Sequence, residues 1–358
     1  MSLFAGIPAP LFTAPSPINP EFAFGSLGGR YLLLAFLPNP GPERDAALQL
    51  IRDNADVFAE ERVLFFGVLP DADSYAQVRN AAPMRWFADF DGQLRRLYDA
   101  ADETGGVRPT WVVVDPMMRI LGSAPLDRGA EVVAHLARLG DPEAHAGTPL
   151  HAPVLMVPRI FEPDLCRRLI DYYQQDGGAP SGTMVERDGK TVGVFNKFKR
   201  RRDASIRDDG LIVECRARIH QRLVPQIEKA FQFKATYIER YIVACYDAEE
   251  GGWFNPHRDN TTLGTAHRKF AVSINLNAPE FVGGDLRFPE FGRRTYRPPT
   301  GGAVVFSCSL LHEATRVTSG ARYAFLPFLY DEEGARIRAA NLHALDLGDP
   351  SRSNGAAA

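Results

Sequence analysis

Two runs decide how this chain folds, Tyr246–Asp259 (YDAEEGGWFNPHRD) and His312–Arg322 (HEATRVTSGAR). The first ends on His257-Arg258-Asp259; the second opens on His312 and closes on Arg322. Two imidazoles and one carboxylate are the facial ligand set of non-haem Fe(II), which leaves coordination positions open. His257 and Asp259 stand two apart, so on an extended strand their side chains share a face. His312 must then arrive from another strand. The same residue types also make hydrolytic zinc sites. Arg322 argues against that use, because its planar fork suits the far carboxylate of a dicarboxylate co-substrate.

The sequence around these runs reads as short strands. Lys269–Leu276 (KFAVSINL) alternates clearly, Tyr237–Tyr246 partly, and Gly301–Phe306 and Arg322–Tyr330 are further apolar runs. Gly283-Gly284-Asp285 marks a turn. Regular short strands with glycine-rich turns predict a β-sandwich or jelly roll with closed edges. Upstream, Val154–Ile160 reads as an edge strand, and Pro163–Gln174 and Gly210–Phe231 as flanking helices carrying Cys166 and Cys215 as structural thiols. Cys245 and Cys308 fall on barrel strands, with no catalytic role expected. His267 is placed in a loop and is not expected to ligate; Trp253 and Phe254 are groove walls or core. Met184–Asp203 carries Lys197, Lys199, Arg200, Arg201 and Arg202. By itself it reads as a solvated, mobile hairpin, and an isolated charge run seldom makes a nucleic-acid site.

Residues 1–140 differ in pattern. Tyr31–Leu37 (YLLLAFL) and Val63–Leu69 (VLFFGVL) are continuous apolar runs, as in strands covered on both faces. Glu43–Glu61 has helical periodicity, with shorter helical stretches at Asp73–Arg79 and Gly92–Ala100. Strands at Trp111–Val114 and Arg119–Gly122 and a helix at Gly129–Leu139 complete an α/β sandwich with a partly parallel sheet. Gly, Pro and Ala then accumulate between Gly140 and Pro153, where periodicity stops, and His145 and His151 read there as exposed linker residues. The expected organisation is residues 1–140, a linker at 141–153, a second domain at 154–333 and a tail at 334–358, disordered from Ser351.

With Gly283-Gly284-Asp285-Leu286 added, the two deciding runs resemble the prolyl 4-hydroxylase group of Fe(II)/2-oxoglutarate dioxygenases over roughly Pro153–Glu333. The resemblance implies a double-stranded β-helix (jelly roll, cupin-like) with flanking helices. It implies His257, Asp259 and His312 as metal ligands, Arg322 as the clamp for 2-oxoglutarate, and Tyr246 and Asn275 as further co-substrate contacts. It also implies O₂ as oxidant, ascorbate as reductant of oxidised iron, and release of succinate and CO₂. A peptidyl or protein residue such as proline is the implied substrate, and the Met184–Asp203 segment, as the alternative to a solvated hairpin, is implied to cover it. The first half resembles the thioredoxin-like fold in its peroxiredoxin branch, through Gly6–Phe12 (GIPAPLF), Gly29–Pro38 (GRYLLLAFLP), Arg108-Pro109-Thr110 and Val114-Asp115-Pro116. The loop that carries that family's thiol reads Pro38-Asn39-Pro40-Gly41-Pro42 here, and residues 1–165 contain no cysteine. Thiolate chemistry is therefore closed to it. The alternative is a redoxin-type interaction or redox module, with the oxygenase half acting on a small molecule.

Composition agrees with a soluble globular protein: 358 residues favour two domains, and 45% apolar with 24% charged residues is ordinary for that class. A net charge of -3 predicts no general affinity for nucleic acid or anionic lipid. The N-terminus lacks the basic and apolar regions of a secretory signal, and the four cysteines show no disulfide-scaffold spacing. A cytoplasmic location and no membrane span are the expectation; oligomeric state is left open.

Overall fold

In the computed structural model the chain divides into two compact units, Met1–Ala152 with Pro289–Arg293, and Pro153–Phe288 with Arg294–Ala358. The structure describes residues 4–187 and 189–345, so the expected disorder from Ser351 lies outside them.

The first unit is built on a five-stranded sheet of β1 (Tyr31–Phe36), β2 (Val63–Leu69), β3 (Trp86–Ala88), β4 (Thr110–Val114) and β5 (Ile120–Pro125), ordered β3-β2-β1-β4-β5. β2 pairs parallel with β1 and β3, while β4 runs antiparallel to β1 and β5. Every residue of β1 and β2 is buried. The period-2 alternation of a strand explains this. Leu32, Leu34 and Phe36 enter one core with Phe24, Phe87 and Tyr98. Leu33 and Ala35 enter another with Ala47 and Ile51 of α1 (Pro42–Asp53) and Val133 and Leu136 of α2 (Gly129–Arg138). Pro42 at the start of α1 fits there because a first-turn residue has no intrahelical N–H partner to lose.

The second unit starts with β6 (Leu155–Val157) and α3 (Pro163–Asp176). The charged run then divides between two sheets: β7 (Lys199–Arg200) joins the smaller and β8 (Arg202–Ser205) the larger. The long helix expected at Gly210–Phe231 is three pieces: α4 (Asp209–Arg218), a π turn at Ile219–Leu223 and α5 (Val224–Phe231). Pro225 is the reason, since its ring removes an N–H and crowds the preceding turn, which widens to relieve it. After these come β9 (Ile242–Asp247), β10 (Trp253–His257), β11 (Phe270–Asn275), β12 (Leu286–Arg287), β13 (Ala303–Ser307), β14 (His312–Ala314), β15 (Ala321–Phe325), β16 (Phe328–Tyr330) and α6 (Glu332–Ala340). The run expected as one strand from Arg322 to Tyr330 breaks between β15 and β16 at Pro327, which cannot donate to a ladder.

The larger sheet holds the neighbours β16-β11-β15-β9-β8, with β13 bridging β11 and β6. The smaller holds β7-β10-β14-β12. Ile242, Ala244, Tyr246 and Ala324 of the larger sheet, with Leu326 just past β15, share a buried cluster with Ala314 of the smaller. This is the double-stranded β-helix arrangement of two antiparallel sheets packed together.

The hairpin Thr183–Arg187/Lys190–Val194 is not a free arm, as one reading of the charge run had it. Glu186 accepts from the Leu263 amide, Thr191 Oγ1 accepts from the Gly264 amide, and Lys190 donates to the His343 carbonyl. Among the described residues no helix is long and apolar enough to cross a membrane.

Candidate metal and co-substrate site

β10 and β14 lie side by side in the smaller sheet, and His257 is the cross-strand partner of His312. A register irregularity between Phe254 and His257 turns the end of β10. His257 Nε2 lies 3.6 Å from one carboxylate oxygen of Asp259, and His312 Nε2 lies 3.4 Å from the other. One ligand atom from each residue fits within 4.8 Å of the others. His257 Nδ1 sits 2.7 Å from the Asn255 carbonyl and His312 Nδ1 3.0 Å from that of Leu310. A carbonyl only accepts, so each Nδ1 carries the proton and each Nε2 presents a lone pair to the shared point. This donor set fits a divalent transition metal.

The electrostatics agree. Burial alone raises the Asp259 carboxyl, but His312, His257 and Arg268 outweigh it and hold the group well below the usual carboxylate range. Burial, then the neighbouring His257, pushes the His312 imidazole down to about 4. Asp259 is thus an ionised carboxylate and His312 a neutral imidazole, the forms that bind metal. Phe254 stacks on the His257 ring at 3.4 Å, and Phe306 flanks His312 at 4.5 Å.

Arg322, on β15, is 2% exposed. Its Nε donates to Asn275 Oδ1 at 3.1 Å and one Nη to Ser273 Oγ at 2.7 Å. Both partners are neutral, and burial lowers its pKa. Buried charge without an ionic partner is expensive, so an incoming carboxylate suits this fork. Gly284 makes room: its φ is +69, and a side chain there would press on Val317 and the Arg322 stem. Tyr246, cross-strand from Arg322, lies with its ring 5.3 Å from the Arg322 guanidinium and 5.8 Å from that of Arg201. Asn275, expected to touch the co-substrate, holds Arg322 with its oxygen and donates from Nδ2 to the Pro298 carbonyl. It bears on the site through Arg322.

His267 is buried away from the triad, 2.7 Å from Glu239 and edge-on to Tyr330. Arg268 makes a two-pronged pair with the same Glu239 and donates to the Asp259 backbone carbonyl at 3.3 Å. Sequence reading missed this support, and also Ser273, although Ser273 and Asn275 stand two apart on one alternating strand and share a face.

The larger omission concerns Lys199 and Arg201, only 8% and 7% exposed. Arg201 donates to Asp203 at 2.7 Å and to the Tyr246 hydroxyl at 3.3 Å. Lys199 donates to Ser181 Oγ and the Gly182 carbonyl, each at 2.8 Å, with its amine 4.7 Å from the Phe254 ring centre. Burial, then Arg201, pushes the Lys199 amine down to about 6. The four cysteines are buried free thiols, and burial pushes Cys166 and Cys245 up to about 11 and Cys215 up to about 12. None is a ready thiolate at neutral pH.

Residues 241–330 match the family model of the 2OG-Fe(II) oxygenase superfamily, so this region is a domain of that superfamily. A PKHD-type hydroxylase of Synechococcus sp. (strain JA-2-3B'a(2-13)) is 31% identical over 93 residues, which is 24% of this chain and 41% of the relative. The chain thus spans less than half the length of that relative. Among solved structures, a Pseudomonas putida prolyl-4-hydroxylase aligns over 51% of this chain and 94% of its own at 17% identity, with a TM-score of 0.38. The peroxidoxin BcpB of Mycobacterium tuberculosis aligns over 38% of this chain and 97% of its own at 21% identity, with a TM-score of 0.33.

Proposed function

We propose that this protein is an Fe(II)- and 2-oxoglutarate-dependent oxygenase that hydroxylates an unactivated C–H bond, releasing succinate and CO₂. The observation that carries the reading is the convergence of His257, Asp259 and His312 within one metal's reach, beside a buried Arg322 whose hydrogen bonds go to neutral oxygens. The superfamily match supports the reaction class. The PKHD-type relatives support a hydroxylase, and a peptidyl residue such as proline is our proposed target.

In this reading His257, Asp259 and His312 would hold Fe(II). When bound, the iron and O₂ supply the oxidation that decarboxylates 2-oxoglutarate and places an oxygen on the substrate carbon. The remaining work belongs to the chain. Arg322 binds the distal carboxylate of 2-oxoglutarate, with Asn275 and Ser273 setting its orientation. Tyr246 walls the co-substrate. Phe254 and Phe306 shield the imidazoles from water. Arg268 and Glu239 hold the Asp259 backbone in place. The first unit, without a thiol, serves substrate recruitment, and the protein works in the cytoplasm.

The test is anaerobic addition of Fe(II) and 2-oxoglutarate to the metal-free protein. A weak visible absorption band is expected, together with slow 2-oxoglutarate consumption once air is admitted, and His312→Ala abolishes both. A folded, metal-loaded wild type that shows no band sinks the reading.

A further inference from the structure

Three arginines of this unit, Arg201 buried and Arg268 and Arg297 partly so, have carboxylate partners: Arg268 with Glu239, Arg201 with Asp203, Arg297 with Asp285. Arg322 is answered by 2-oxoglutarate in the reading above. Arg240 and Lys199 have no carboxylate partner among the described residues; Arg240 is taken up by the Leu326 carbonyl and the Phe328 ring, which leaves Lys199. It enters from the smaller sheet, where it is the cross-strand partner of Phe254, whose ring stacks on His257. Both of its hydrogen bonds go to uncharged oxygens, and Asp203 and then Asp259 lie within its electrostatic reach. Fe(II) at Asp259 makes the surroundings more positive still, and the two charges of 2-oxoglutarate are taken up by the metal and Arg322. Asp203, the acid that bears on Lys199 most, is already engaged by Arg201 and Ser181, so the amine has no carboxylate bonded to it.

We propose that Lys199, braced by Ser181 and by the Arg201–Asp203 pair, recognises a carboxylate on the prime substrate next to the carbon that is hydroxylated. This rests on the oxygenase reading and goes beyond it by naming an anionic substrate class. The neighbours explain why Lys199 can wait for such a group. Ser181 Oγ donates to Asp203 while accepting from Lys199, so the amine is positioned without being neutralised by an acid of its own. Burial and Arg201 disfavour its charged form in the empty site, and an arriving carboxylate restores it, because an opposite charge close by favours ionisation. Tyr246, touched by Arg201 on one side and lying beside Arg322 on the other, separates this anion site from the co-substrate clamp. The carboxylate has two sources, an acidic residue on a peptide or the free acid of a small molecule.

The full chain, loaded with Fe(II) and 2-oxoglutarate under nitrogen, is titrated with two matched pairs of probes and binding is read by saturation-transfer NMR. One pair is a blocked proline-containing peptide bearing aspartate next to the proline and its asparagine counterpart; the other is L-proline and L-prolinamide. In at least one pair the carboxylate member binds about tenfold tighter, a difference of roughly 1.4 kcal/mol, and the pair that responds identifies the source. Lys199→Met erases the preference and Lys199→Arg keeps it. Equal binding within both pairs, no binding by any probe, or an undiminished preference in Lys199→Met overturns the proposal. Displacement of 2-oxoglutarate by the acid overturns it as well, by assigning Lys199 to the co-substrate. Should Lys199→Met fail to fold, the wild-type pairs and Lys199→Arg decide. The visible band of the 2-oxoglutarate complex is recorded in the same samples, so its absence marks failure of the oxygenase reading, and its presence with unselective probes marks failure of this one.

Discussion

Arg322 and Lys199 are both buried cations without a carboxylate of their own, and their removal has opposite consequences. Replacing Arg322 with Gln takes away one partner of a buried charge pair in the co-substrate complex, at a cost of about 2–5 kcal/mol. The expected outcome is a steep rise in the 2-oxoglutarate requirement with Fe(II) stoichiometry unchanged, measured by titration calorimetry; unchanged co-substrate affinity assigns the clamp elsewhere. For Lys199 the sign follows from its depressed pKa, about 6 in the fold against the ordinary lysine value of 10.5. Between those values the unfolded chain binds the extra proton, so this group destabilises the fold progressively as pH falls from about 10 to 6. Lys199→Met is therefore expected to raise the melting temperature at pH 7 and to gain less at pH 9.5. A variant less stable than wild type at pH 7, by thermal unfolding, contradicts this account.

At the scale of elements, the site depends on where strands and turns end. The bend after β10 lets His257, at its end, and Asp259, just past it, share one point with His312, which β14 carries in from alongside. Gly283 and Gly284 both take positive φ, +75 and +69, where the loop presses against Val317 and Arg322. A Cβ on Gly283 would overlap the Arg316 carbonyl oxygen. Gly283→Ala is thus expected to combine left-handed strain, on the order of 1–3 kcal/mol, with a backbone clash. Denaturant unfolding should show the loss, and 2-oxoglutarate binding should weaken with it because Arg322 leans on the same loop; a stability within about 0.5 kcal/mol of wild type, the range of neutral surface changes, argues against it. The hairpin at 183–194 teaches a related lesson. Its sequence is polar and charged, yet Thr191 is fully buried and accepts from the Gly264 amide.

For the whole molecule, the candidate metal site and the thiols lie in one half of the chain. The first unit contains no cysteine, and the four in the second are buried with raised pKa values. Peroxide reduction needs an accessible thiolate, so the metal-free protein is expected not to accelerate hydrogen peroxide consumption by dithiothreitol. A rate above background that disappears on Cys308→Ser or Cys245→Ser would mean that a buried thiol becomes exposed. The redoxin-like pattern of the first half therefore describes its sheet and its two apolar faces, and not a redox reaction.

The candidate metal site was legible in the sequence wherever it needs a residue type at a fixed spacing. His257 and Asp259 are two apart, Gly283-Gly284 mark a turn, and β1 and β2 are apolar at every position because both faces are covered. Such features follow from local geometry and strand periodicity. Other features depended on which strands become neighbours. Lys199 and Arg201 sit in a basic run that looks solvated, and they are buried because the chain passes there from the smaller sheet to the larger. Ser181, Ser273 and Asp203 matter only through the cations they meet. Pro225 and Pro327 announced breaks that the apolar pattern around them concealed. Periodicity reports which face a side chain occupies, whereas its partner across a sheet is chosen by long-range strand pairing, which leaves no mark at the residue itself.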